Sequence, residues 1–276
     1  MTTVAVRHPQ APPAAGTRGP TFPRVLAAEW TKLVSLRSTW WLALGTAAAA
    51  GLVAAGLGLF VRPGDGTSGT WVVVAGYLLS QVGVLVLGVL VGTDEHTTGT
   101  ARLTFTAVPR RLPVLAAQVV VTAAAAVLTA TVALAVAYLA TAGARSADAP
   151  AVDLGVDGAG RALLGFVLHH TGVALLGLGL GALLRRPAGA LVTALVLLVA
   201  LDQVLTAFSG EVSDVARMLM PSSAVRLLHD DAGVVLLEAA SRAPRIGAWG
   251  GGAVLLGWVV VVLGAATHRL RHHDVR

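Results

Sequence analysis

Six long apolar stretches dominate this chain and constrain its fold more than any other feature of the sequence. A helix needs about 20 predominantly apolar residues to cross the hydrocarbon core of a bilayer, and each stretch reaches that length. The predicted crossings use about half the chain, and they cover residues 40–61, 71–92, 114–142, 159–184, 188–207 and 247–268. The sequence therefore predicts an all-α integral membrane protein with six transmembrane helices.

The composition supports the same fold class and narrows the chemistry. Of the 276 residues, 55% are hydrophobic and only 12% are charged, so little of the chain remains for a soluble catalytic domain. The sequence has no cysteine, which excludes disulfides, thiolate nucleophiles and cysteine-ligated zinc or iron-sulfur sites. The net charge of +6 is scattered among the apolar stretches and their ends. It predicts contact with anionic lipid headgroups and no nucleic-acid partner.

Two different segments precede the first crossing. Residues 1–22, rich in proline, alanine, glycine and threonine, are expected to be a disordered cytoplasmic arm. Residues 23–39 place Leu26, Trp30 and Leu33 at helical spacing, with mostly polar residues on the other side. This pattern predicts an amphipathic helix on the membrane surface.

The arginine and lysine residues set the predicted orientation. Six crossings put both termini on one side, and placing them in the cytoplasm assigns 13 of the 20 Lys and Arg residues to the inner side. The inner set is Arg7, Arg18, Arg24, Lys32, Arg37, Arg102, Arg110, Arg111, Arg185, Arg186, Arg269, Arg271 and Arg276. The sequence thus predicts a multi-pass protein of the plasma membrane with cytoplasmic termini, the last being a basic tail at residues 269–276.

The connector of residues 208–246 is long for a link between two helices. It contains amphipathic pieces, so we expect short external helices before the last crossing.

Small residues inside the crossings allow membrane helices to approach closely, and we expect a packing role for those of the fourth crossing. These are Gly172, Gly177, Gly179 and Gly181.

Two stretches go beyond a generic membrane protein. The first is Glu29-Trp30-Thr31-Lys32-Leu33, followed by Ser35, Arg37, Ser38, Thr39, Trp40 and Trp41. The second runs from Gly92 through Glu95, Gly99, Thr100 and Arg102, and Pro109-Arg110-Arg111 follows it just before the third crossing. Both fall on the predicted inner side.

Together these stretches resemble the permease subunits of bacterial ABC-2 type exporters, the transmembrane half of an ATP-driven pump. The resemblance covers nearly the whole chain by layout and these two stretches by residue. It implies that the loop after the second crossing seats in a groove of a separate ATPase, and that the surface helix with Glu29, Trp30, Lys32, Leu33 and Arg37 transmits its motion. The implied coupling residues are Glu95, Gly99, Thr100, Arg102, Pro109, Arg110 and Arg111.

A plainer interpretation exists for the three arginines of this loop, since each could be a positive-inside anchor. Glu95 contributes nothing to orientation, so a partner contact or an ion pair is the better interpretation.

The resemblance also implies a complex of two ATPase copies with two permease protomers, identical or related. The sequence has no phosphate-binding Walker motif, so we expect no enzymatic activity and no cofactor in this chain, with ATP and Mg on the partner subunit.

Several polar residues inside the crossings are candidates for a transport pathway. Asp202 lies late in crossing five, where it could line the pathway or face external water. Gln81 in crossing two could line a cavity or hydrogen-bond another helix. His169 and His170 are neighbours on one helix and point about 100° apart, so they cannot chelate one ion together; a helix contact or an interfacial role is expected.

Three functional hypotheses remain open from the sequence. The first is the exporter permease, which would move a small molecule, lipid or peptide by alternating access. The second is an ion-coupled secondary transporter, which should show buried charges and internal repeats. The third is an integral-membrane enzyme, against which the sequence offers no convincing catalytic constellation.

Overall fold

The structure, a computed structural model, describes residues 21–61, 67–97, 111–144, 151–208 and 210–272, and for residues 95–97, 111 and 272 it describes the backbone alone. In chain order the helices are α1 (Phe22–Ser35), α2 (Arg37–Phe60), α3 (Gly69–Val74), α4 (Tyr77–Thr97), α5 (Arg111–Ala144), α6 (Ala159–Leu184), α7 (Pro187–Leu195), a π-helical turn (Val196–Ala200), α8 (Leu201–Thr206), α9 (Glu211–Met218), a 3-10 helix (Pro221–Leu228), α10 (Asp231–Ala239) and α11 (Gly247–His272).

Six spans within these ranges are long and apolar enough to cross a membrane, which confirms the predicted fold class. They are Arg37–Phe60, Gly69–Asp94, Leu112–Ala144, Ala159–Leu184, Pro187–Thr206 and Gly247–Arg271. The described part of the chain contains no β-strand. The predicted arm lies outside the described residues except for Thr21 and Phe22, and the predicted tail is described only as far as residue 272.

The surface helix ends earlier than predicted, and Arg37 belongs to the first crossing instead. The backbone turns at Leu36, which has an extended conformation (φ −80°, ψ 123°), and α2 starts at the next residue. Side chains of the first turn of α2 hydrogen-bond to the end of α1: the Thr39 hydroxyl donates to the Leu33 carbonyl at 2.8 Å, and the Trp40 indole donates to the Val34 carbonyl at 3.0 Å. These bonds satisfy carbonyls that a helix end leaves without partners, so they stabilise the corner.

Helices α4 and α6 form the centre of the bundle. The crossings that contain them are each 61% buried, whereas only 17% of the fifth crossing is buried by the rest of the chain. The contact between α4 and α6 depends on two facing pairs of glycines spaced four residues apart. A Cβ atom added at Gly177 would lie 2.7 Å from the Leu85 carbonyl oxygen, and one at Gly181 would lie 2.8 Å from that of Val89. A Cβ atom added at Gly88 of α4 would lie even closer to the Ala174 carbonyl oxygen, and one at Gly92 would lie even closer to that of Leu178.

The other two glycines predicted to pack lie on a different face of α6. A Cβ at Gly172 would meet the Leu255 side chain at 2.6 Å, and a Cβ at Gly179 would meet that of Val262 at 2.9 Å, both on α11. Because lipid tails are as apolar as the helix surfaces, close backbone approach of this kind is what holds membrane helices together. All four glycines therefore lie in helix contacts.

Short helices occupy the connector between the fifth and sixth crossings, as predicted, and they are packed into the bundle. The 3-10 helix lies between α6 and α11, where Gly165 of α6 and Gly251 of α11 contact its Leu227 and Ser223 backbone. The indole of Trp258 donates a hydrogen bond of 2.9 Å to the Leu219 carbonyl. Trp258 lies eleven residues into α11, which corresponds to about 16 Å along its axis. The connector thus reaches well past the N-terminal end of the last crossing.

Candidate functional site

An ion pair joins the surface helix α1 to the C-terminal part of α4. The Nζ atom of Lys32 lies 2.6 Å from Oδ2 of Asp94 and 3.9 Å from Oε2 of Glu29. The Lys32 and Asp94 side chains are 39% and 25% exposed. Water therefore screens the pair, and its net contribution to stability is about 1 kcal/mol or less. Its importance is its position, because Asp94 immediately precedes Glu95 at the start of the predicted coupling loop.

Glu29 connects the same junction to a third helix. Its side chain is 13% exposed, and burial raises the pKa of its carboxyl group above 4.5. The charge of Lys32 opposes this shift, that of Asp94 adds to it, and a hydrogen bond with the Gln118 side chain of α5 again opposes it. The α1–α4 junction, as we call Glu29, Lys32 and Asp94, therefore brings together charged groups from two helices against a polar side chain of a third.

A cavity of about 200 Å³ lies beside the α1–α4 junction. All three junction residues contribute to its lining, together with Pro187 at the corner between α6 and α7 and apolar residues such as Leu33 and Leu87. Leu33 is only 5% exposed and packs with Leu87 and Val121 of the neighbouring helices. Trp30, on another side of α1, is 38% exposed. The surface helix is thus fixed to the bundle by a small apolar contact and by the ion pair.

Most of the predicted coupling residues lie outside the described residues: Gly99, Thr100, Arg102, Pro109 and Arg110. Glu95 falls within α4 and Arg111 begins α5, and for both the description covers the backbone alone. The predicted role of all seven residues stays a prediction. The structure fixes the two helical backbones that carry the ends of this loop.

The two candidate pathway residues, Gln81 and Asp202, line a single cavity. We call this cavity of about 120 Å³ the polar chamber; its polar lining is Tyr77, Gln81, His169, Asp202, Gln203 and Ser222. These residues come from α4, α6, α8 and the 3-10 helix, and Leu198 and Val199 of the π-helical turn complete one wall. A π-helical turn inserts an extra residue into a helix and is frequent at functional sites. Here it directly precedes the helix that carries Asp202.

Gln81 has both of the roles considered for it, since it lines the polar chamber and also bonds to another helix. Its Oε1 atom lies 3.1 Å from Nε2 of His169, and its Nε2 atom donates to the Leu78 carbonyl at 3.3 Å. The second bond identifies the amide nitrogen, so the oxygen faces the imidazole and Nε2 of His169 carries the proton. Nδ1 of His169 is buried and has no hydrogen-bond partner among the described residues.

His170 points elsewhere, as expected for a neighbour on one helix. Its Nε2 atom lies 2.8 Å from the Ser80 hydroxyl, and its Nδ1 atom lies 2.8 Å from the Phe166 carbonyl. A carbonyl can only accept, so Nδ1 carries the proton and Nε2 accepts from Ser80. The two histidines are fully buried helix contacts with opposite tautomers.

Asp202 is held by residues of the connector that follows it. Its Oδ1 atom lies 3.2 Å from Nε of Arg217 on α9 and 3.5 Å from the Ser222 hydroxyl. Arg217 is outside the predicted inner set of basic residues, and its spacing from Asp202 in the sequence gave no reason to pair the two. Tyr77 and Ser222 carried no sequence signal either: Tyr77 enters the lining from the start of α4, and only the return of the connector into the bundle brings Ser222 to the chamber.

Within the described ranges, no group of three or more His, Cys, Asp or Glu side chains could hold a metal ion.

Comparison with known proteins gives no assignment for this chain. No protein-family model matches the sequence, and none of the curated proteins matches it.

Proposed function

We propose that this chain is the transmembrane permease subunit of an ABC-2 type exporter, located in a bacterial plasma membrane with both termini in the cytoplasm. A separate ATPase, present in two copies, would drive alternating access in a pair of permease protomers. The cargo would be a small molecule, lipid or peptide. The six-span bundle and the resemblance of the two inner motifs support the proposal.

The observation that carries the proposal is the ion pair of Lys32 with Asp94. A motor that binds the loop after α4 must pass its motion to the membrane helices, and this pair connects the start of that loop to the surface helix. The cavity beside the junction leaves room for α1 to shift against α4. The arrangement suits a lever whose one end is bound by the ATPase.

Co-purification tests the proposal directly. The tagged chain, co-expressed with the ATP-binding protein encoded nearest to it, is expected to retain that ATPase after solubilisation. Arg110→Glu combined with Arg111→Glu should weaken the retention, because reversing both charges removes any electrostatic complementarity between this loop and the ATPase. Arg242→Glu with Arg245→Glu makes the same charge change at exposed positions on the predicted outer side and should leave it unchanged. Equal retention by both pairs would contradict the docking assignment.

Topology offers a second, independent test. The chain has no cysteine, so a single cysteine at position 95 can be labelled without background. A membrane-impermeant reagent added to intact cells should not reach it, and labelling should appear after the cells are opened. Labelling in intact cells would place the loop outside and would contradict the proposal.

One observation favours a second candidate, an ion-coupled secondary transporter. The polar chamber combines Asp202 with a buried histidine, and intramembrane ionisable groups of this kind occur in proton and ion pathways. The two functions differ in their energy source. Transport that stops when an uncoupler is added at constant ATP would favour the secondary transporter, whereas the exporter would continue.

A further inference from the structure

The polar chamber is separate from the α1–α4 junction, and the proposed coupling does not use it. We propose that the chamber binds the protonated amino group of a cargo molecule and that the Asp202 carboxylate is the group that receives it. That the amine belongs to a transported molecule rests on the proposed function, whereas the binding of an amine in the chamber does not.

The charge of the lining points to a cation. Among the residues that the structure describes, Asp202 is the only carboxylate in the lining, and neither a lysine nor an arginine contributes to it. Arg217 approaches from outside the chamber and contacts Oδ1 of Asp202. No hydrogen bond reaches Oδ2 from any residue that the structure describes. This oxygen can therefore accept from an ammonium group, and a bond between two charged groups is stronger than one between neutral groups.

The histidine in the lining also offers an acceptor. Because Nε2 of His169 bonds to the Gln81 oxygen and carries the proton, Nδ1 is an acceptor, and it is buried without a partner among the described residues. A buried polar atom without a partner is costly, and a ligand or an ordered water that donates to it removes that cost. Asp202 and His169 thus each carry an acceptor with no partner among the described residues, and the proposed amine site needs only the one on Asp202.

The size of the chamber limits what can enter. A volume of about 120 Å³ corresponds to roughly four water molecules at about 30 Å³ each. An ammonium group with a few carbon atoms fits, and a larger cargo would place only this end inside. The apolar side chains Leu198, Val199 and Val225 would contact the carbon atoms next to the nitrogen.

The test uses the purified full-length chain in detergent, without the ATPase. Its thermal unfolding is measured in the presence of propylammonium, propionate or 1-propanol, three probes of similar size and different charge. Propylammonium should raise the unfolding temperature in a concentration-dependent way, since a ligand that binds only the folded state stabilises it, and the other two should not. Asp202→Asn should weaken the apparent affinity about tenfold or more. Asp157→Asn, at an exposed carboxylate outside the chamber, should leave it unchanged.

Two further measurements decide the case if Asp202→Asn does not fold. Val199→Phe fills the chamber without changing its charge and should abolish the effect of propylammonium. Tetrabutylammonium, which is too bulky and has no N–H donor, should not stabilise the wild-type chain. Stabilisation by tetrabutylammonium equal to that by propylammonium, or an unchanged effect in Val199→Phe, would overturn the inference. If the chain retains its ATPase but propylammonium does not raise its unfolding temperature, the inference is overturned and the proposed function still stands.

Discussion

The ammonium group of Lys32 lies 2.6 Å from the carboxylate of Asp94, so a helix on the membrane surface is ion-paired to the end of a central transmembrane helix. Glu29 adds a second carboxylate 3.9 Å from the same lysine. The pair is partly exposed and contributes little to stability. In the proposed exporter, its removal should therefore affect the transmission of motion much more than folding.

Lys32→Met is expected to reduce the stimulation of ATP hydrolysis by cargo severalfold while lowering the free energy of unfolding by about 1 kcal/mol or less. The physical reason is that α1 would lose its charged link to the base of the loop. The measurement is ATPase activity of the reconstituted complex with and without cargo, together with the unfolding midpoint of the solubilised chain.

The charge-swapped double variant Lys32→Asp with Asp94→Lys is the control for this prediction. It keeps an ion pair at the same place and should recover part of the coupling that either single variant loses. Full coupling in Lys32→Met, or no recovery in the double variant, would show that the pair does not transmit motion.

Gly88→Ala should destabilise the bundle by about 1–3 kcal/mol, because the added methyl group meets the backbone carbonyl of Ala174, which cannot move aside without shifting α6. Thermal unfolding in detergent measures this loss. Gly257→Ala on α11 is the matched control, since a Cβ there has no atom within 4 Å. It should be neutral or slightly stabilising, given that alanine favours a helix more than glycine does. Equal midpoints for the two variants would show that the α4–α6 contact tolerates a wider spacing.

The six spans could be predicted because the thickness of the bilayer fixes the length of an apolar helix, whatever surrounds it. The breaks in the helices, within the spans and next to them, could not be predicted from the sequence. The turn at Leu36 depends on hydrogen bonds from Thr39 and Trp40, and Gly76, just before α4, lies where a Cβ would be 2.8 Å from the Ala50 backbone. The first is a set of local side-chain hydrogen bonds and the second is a tertiary contact, and an apolar period records neither.

The candidate site shows the same division. The sequence alone identified Gln81 and Asp202 as separate candidates, because polar groups are rare inside apolar helices. Their meeting in one cavity depends on which helices are neighbours and on the return of the connector that brings Arg217 and Ser222 to Asp202. Sequence spacing contains no information about either.

Trp258→Phe is expected to lower the free energy of unfolding by about 0.5–1.5 kcal/mol, the usual net contribution of one hydrogen bond. A smaller aromatic ring remains, but the donor to the Leu219 carbonyl is lost and the connector is held less tightly against α11. Trp249→Phe is the control on the same helix, because that side chain is 59% exposed. Unfolding midpoints that fall equally in both variants would indicate a general effect of the smaller ring.

His229 should make stability depend on pH. Its ring stacks on Trp71 with centroids 4.2 Å apart and its Nδ1 atom lies 3.1 Å from the Val225 carbonyl. Burial lowers the pKa of His229 below 6.5; the Val225 carbonyl and Asp230 oppose the shift, and Arg161 and Arg226 add to it. Below pH 6.5 the unfolded chain therefore takes up a proton that the folded chain resists, so the stability from this group is present above 6.5 and is lost as the pH falls toward the lowered pKa.

The measurement is the unfolding midpoint of the wild-type chain and of His229→Gln at several pH values from 8 down to 5. The wild-type midpoint should fall more steeply than that of the variant below about pH 6.5, and the two curves should run parallel above pH 7. The parallel part serves as the internal control, because any loss of packing against Trp71 shifts the variant curve by the same amount at every pH. Curves that stay parallel down to pH 5 would show that the folded chain protonates His229 as easily as the unfolded chain does.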